Sequence, residues 1–190
     1  MTMTTTKTKT TTEKPIETLP TNPFVFEILE LASKQRSNAK KVEVLKTYEH
    51  DALKTIFIWN FDESVISLLP VGPVPYGDVK DQNVYSGSLS DNLSREAGGG
   101  EAATTQDLHG VGRTSLRKEY TNLYHYVHGG NGGINTIRRE MMFINLLQGL
   151  HPKEAEVIIL TKDKKLTDKY KITFENVKES YSDIQWGNRS

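Results

Sequence analysis

The chain has 190 residues, enough for one well-cored domain and too few for two ordinary ones once polar tails are set aside. Hydrophobic residues make up 36% and charged residues 25%, and the mean hydropathy is -0.53, so part of the chain is expected to stay disordered. Lys plus Arg and Asp plus Glu both total 24, which removes any global field toward nucleic acid or membrane, and the lack of cysteine excludes disulfides, thiolate metal sites and a cysteine nucleophile.

Apolar runs fall far short of the roughly 20 residues that cross a bilayer, and no apolar signal core opens the chain, so no membrane partner is expected. Residues 1–21 are rich in threonine and carry Lys7, Lys9 and Lys14, with almost nothing apolar to offset ordering entropy. They read as a disordered tail ahead of a single helical domain over 22–190. Asn22 and Pro23 suit the cap and first position of a helix, whose apolar face holds Phe24, Ile28 and Leu31. Ser37 caps a second helix through Tyr48, with Val42 and Leu45 inward, and Asp51 caps a third with Leu53, Ile56 and Phe57 inward. Residues 62–69 read equally as helix or strand.

The segment LPVGPVPY, from Leu69 to Tyr76, cannot be helical with three prolines and a glycine, and is expected to be extended. Residues 77–112, rich in Gly, Ser, Asp and Thr, read as a flexible insertion. Helical spacing returns with Leu116, Tyr120, Leu123, Tyr124 and Val127 on one stripe, and ends at the glycine cluster Gly129 to Gly133. The next helix, Asn135 to Gln148, is apolar nearly all round and is expected to be the central buried one. His151 to Leu166 forms another element, in which 157–160 also fits a strand. Thr173 then caps a last helix with Ile172 and Val177 stapled across the cap, and Trp186 in the closing tail is expected to dock back. The fold class is mainly α: a compact domain of about five to seven helices, with a minor β element left open.

Each polar cluster has a structural explanation that competes with a chemical one. The glycine cluster lacks the Lys-Ser/Thr of a phosphate loop and any preceding strand, so it reads as a hinge. His125 and His128, three apart, have no carboxylate at matching helical spacing and read as a solvated face, with His109 further upstream. Asp51 reads as a cap, and Asp62, Glu63, Glu154 and Glu156 read as solvated charge. No catalytic residue, cofactor site or metal site is assigned. Two basic sets remain. Arg113, Arg117, Lys118, Arg138 and Arg139 would form one ridge if the glycine hinge folds two helices side by side, a surface suited to phosphates. The second set is Lys162, Lys164, Lys165, Lys169 and Lys171. The segment containing Pro70, Pro73, Pro75 and Tyr76 is a candidate for docking into a partner's aromatic groove.

Five stretches carry a likeness: Phe26 to Leu29, LPVGPVPY, Tyr126 to Asn131, REMMFINLLQGLHPKEAE from Arg139 to Glu156, and KDKKL from Lys162 to Leu166. In their order the chain resembles a small family of T4-like tailed phages, including those of marine cyanobacteria, that has no assigned function. The resemblance implies a phage protein made in the cytoplasm of an infected bacterium. The expected role is that of a non-enzymatic accessory protein that binds a phage or host protein or nucleic acid, with a minor virion or assembly component as the alternative.

Overall fold

A computed structural model of the protein describes residues 18–76 and 113–189. The insertion expected at 77–112 and most of the expected threonine-rich tail lie outside the described residues. Order begins before Asn22, because the Leu19 N–H donates to the Tyr48 hydroxyl at 2.8 Å and the Leu19 side chain packs on the core.

The described residues form eight α-helices and one 3-10 helix, with no strand: α1 (Val25–Lys34), α2 (Asn38–Thr47), α3 (Asp51–Phe61), α4 (Leu116–Glu119), the 3-10 helix η1 (Tyr120–Tyr126), α5 (Thr136–Gly149), α6 (Pro152–Lys162), α7 (Leu166–Tyr170) and α8 (Phe174–Ser180). The mainly α expectation therefore holds. The helix count exceeds five to seven because 116–126 and 152–170 each break into two pieces. Residues 157–160 are helical, whereas 62–69 are neither helix nor strand and supply only a single antiparallel bridge, Ser67 to Val127.

Local chemistry sets the helix starts. Ser37 Oγ accepts the Lys40 N–H, Asn135 Oδ1 the Arg138 N–H, and Thr173 pairs reciprocally with Asn176. Two caps differ from the sequence reading. α1 starts at Val25, where Glu27 reaches back to the Phe24 N–H at 2.8 Å, and α3 is capped by His50 Nδ1 on the Ala52 N–H at 3.0 Å, with Asp51 already inside the helix.

The central helix is α3. Ala52, Leu53, Ile56, Phe57 and Trp59 are all buried, and the helix packs against α4, η1 and α6. A second layer joins α1 to α2, α6 and α7, and α8 to α2. Tyr181, just past α8, belongs to this core and donates its hydroxyl to the Leu45 carbonyl at 2.7 Å. The α-helical stripe expected over 116–127 is replaced after Glu119 by a period of three. That period turns Leu123 and Tyr126 inward and leaves Tyr124 exposed.

Glu154 corrects the solvated reading most sharply, because its side chain is fully buried. Its Oε1 accepts the Val25 N–H at 3.2 Å and its Oε2 the Leu116 N–H at 2.9 Å, so one carboxylate from α6 serves the first turns of both α1 and α4. Burial pushes this carboxyl up, against the downward pull of the two N–H groups and Arg117. Replacing Glu154 with Ala leaves two buried helix-start N–H groups without a partner and is expected to cost about 2–4 kcal/mol in urea unfolding. Glu154→Gln, which keeps one acceptor, is expected to cost about half as much.

Candidate functional site

The basic residues are placed by backbone contacts around the start of α4. The Arg113 and Thr114 N–H groups both donate to the Gly149 carbonyl, at 2.8 and 3.0 Å, which pins this strand of chain over the end of α5. Glu154 holds the next turn. The result brings Arg113, Arg117 and Lys118 around one open groove of about 460 Å³, walled also by Phe24, His50 and Ser115. Arg117 is half-buried and donates from Nε to the Pro23 carbonyl at 2.6 Å; burial lowers its pKa, opposed by Glu154. His50 is lowered by burial and by Arg117, and because its Nδ1 accepts a backbone N–H, the neutral ring carries its proton on Nε2. Arg113 and Lys118 are exposed.

Arg138 and Arg139 do not complete this ridge. Arg139 is buried and donates to the carbonyls of His125, Asn131 and Ile134, locking the glycine turn from beneath. Gly130 belongs to the same lock, since a Cβ there would sit 1.9 Å from the Tyr124 carbonyl oxygen. Arg138 is exposed on α5 and lines no part of the groove. His125 is held by Asn131 at 3.1 Å and His128 is exposed. Among the described residues no cluster of His, Asp or Glu is placed to hold a metal ion, and no helix is long and apolar enough to cross a membrane.

The second lysine set is largely absorbed by the architecture. Lys162 is buried and donates to the carbonyls of Pro70 and Gly72, at 2.7 and 2.9 Å, and to Asp163 at 2.6 Å. Asp163 in turn accepts the Gly72 N–H at 3.1 Å. This clamp fixes the extended segment 69–76 on the end of α6, with Val74 and Tyr76 packed on the core and Pro70, Pro73 and Pro75 turned outward. Lys164 donates to the Asp62 carbonyl, Lys171 to the Asp168 carbonyl, and Lys169 pairs with Glu156. Asp62, read as solvated, is also buried: it accepts from Ser64, from the Gly187 N–H at 2.9 Å and from Arg189 at 3.2 Å, and so ties down the tail in which Trp186 packs edge-on to Phe174.

A surface that the sequence reading places in the core lies on α5. Only one face of this helix is covered, by Arg139, Phe143 and Leu147, while Ile137 and Met141 on the opposite face are 72% and 59% exposed. The signal available in the sequence is that Arg138, Asn145 and Gln148 fall on the same side of the helix as Ile137 and Met141.

A family model described as a family of unknown function, DUF6433, matches residues 28–98 and 100–168. The chain belongs to that family. No curated protein and no solved structure shows a significant match. Within this DUF6433 protein the matched span takes in the three cations of the groove, the apolar face of α5, Glu154 and the Lys162 clamp, and it ends before α8.

Two predictions follow the buried charges. Lys162→Met strands two carbonyls and the Asp163 carboxylate, so a loss of about 3 kcal/mol in chemical denaturation is expected, with faster proteolysis at 70–76. Burial alone would raise the Asp62 carboxyl, but the hydrogen bonds from Ser64 and Gly187 and the Arg189 charge outweigh it and hold it below its ordinary value. Its contribution to stability is therefore complete above the unfolded carboxylate value of about 4 and is lost as the pH falls through the lower folded value. The Gly187 amide resonance should show an inflection in that acid range, and Asp62→Asn should abolish it.

Proposed function

We propose that this DUF6433 protein is a non-enzymatic phage accessory protein that acts in the infected bacterial cytoplasm by binding a phage or host protein, with the outer face of α5 as the contact surface. The observation that carries this reading is the inverted burial of α5. At about 100° per residue, Ile137, Met141 and Ile144 fall on one side and Arg139, Phe143 and Leu147 on the other. A helix apolar nearly all round is ordinarily enclosed, and one that shows Ile137 and Met141 to water matches the makeup of an interaction patch. The phage setting is supported by the resemblance of Arg139 to Glu156 to phage sequences, a stretch that supplies Met141 and Ile144 of this face.

The polar clusters support binding over chemistry because the buried ones have structural tasks: Glu154 serves two helix starts, Arg139 the glycine turn, Lys162 the proline segment and Asp62 the tail. An Ile137→Glu, Met141→Glu double variant replaces two solvent-facing side chains, so its melting temperature should stay within about 3 °C of the parent. In affinity purification from infected cells, the protein that accompanies the parent chain should be lost from the variant. Undiminished recovery of the same companion by the variant would sink the proposal, and detection of the chain in purified virions would move it to the assembly reading.

A further inference from the structure

The groove beside α4 carries a second inference, independent of the α5 face. Several other surface cations sit beside carboxylates: Lys54 with Glu49 and Asp183, Lys153 with Glu30, and Lys169 with Glu156. Around the groove three cations converge, no carboxylate lines it, and the side chains of Arg113 and Lys118 have no partner among the described residues. Two acids lie close by and both are engaged: Glu154 is buried and accepts two backbone N–H groups, and Glu119 accepts from Thr114 and Asn122. Glu154 offsets part of the Arg117 charge, whereas the exposed Arg113 and Lys118 side chains meet no carboxylate in the groove, and a bound anion supplies that negative charge.

The remaining walls narrow the kind of anion. Phe24 and His50 also line the groove, the Phe24 ring stacked on Phe26 and the His50 ring perpendicular to Tyr120, and neutral His50 keeps an Nε2–H donor. A volume of about 460 Å³ fits a nucleotide unit or two. Cations that take phosphates beside rings that take bases are the combination used for single strands. We infer that the groove formed by Arg113, Arg117, Lys118, Phe24 and His50 binds a short stretch of single-stranded nucleic acid, phosphates on the cations and a base against the rings.

The chain carries no net charge, so no global attraction adds to that of the groove, and the expected salt dependence is that of two or three phosphates. The test is fluorescence anisotropy of the full chain with a labelled oligothymidylate, an equal-length duplex and polyglutamate. Affinity for the oligothymidylate should fall roughly 7- to 20-fold between about 50 and 200 mM salt. Arg113→Glu with Lys118→Glu should weaken binding at least about 20-fold, while Lys165→Glu with Lys178→Glu, the same change in net charge away from the groove, should leave it within about twofold. Equal losses in the two double variants, or no saturable binding at low salt, would overturn the inference. Tighter binding of the duplex or of polyglutamate would also overturn it, and that comparison needs only the parent chain. Failure here leaves the α5 face untouched, since its test reads a co-purifying protein.

Discussion

The carboxylate of Glu154 joins three parts of the chain that are far apart in sequence, 129 residues from Val25 and 38 from Leu116. Helix starts present N–H groups that the helix itself cannot satisfy, and a buried start without an acceptor is costly. By meeting two such starts with one side chain, α6 sets where α1 and α4 begin and how close they lie. The basic groove is a direct consequence, because its walls are the residues just before and after those two starts: Phe24 on one side, Ser115, Arg117 and Lys118 on the other.

The same logic recurs around the molecule. Asn60, buried on α3, accepts the Leu166 N–H at 3.1 Å and positions α7. Lys162 gathers two carbonyls of a segment that has no helix or sheet to satisfy them. Arg139 does so for the glycine turn. Short helices and long connections leave many backbone groups without regular partners, and buried charged side chains supply them. The apolar core alone would not specify these connections, since hydrophobic contact has no direction.

This use of charge also explains the division of the surface. Arg139 occupies the inward face of α5, which commits that face to the turn and rotates Ile137 and Met141 into solvent. Arg113 and Lys118, by contrast, sit where the backbone is already satisfied by Gly149 and by Ser115, so their side chains remain available. Two surfaces of different chemistry, one apolar and one basic, thus arise from one packing arrangement.

Much of the helical framework is legible in the sequence, because its signals are local: Ser37, Asn135 and Thr173 cap the helices they precede, and three prolines keep 69–76 extended. Convergence of Arg113, Arg117 and Lys118 was likewise readable from their spacing within six positions. The period of three in η1 was not, since Tyr126 falls off the α-helical stripe that holds Leu123 and Tyr124, and only the seat against α3 turns it inward. Nor were the fates of Arg139, Lys162, Asp62 and Glu154, all read as solvated or basic surface. A charged residue in a sequence shows its charge and not its burial, and whether it is enclosed depends on acceptors and donors brought from distant positions, which only the folded chain places beside it.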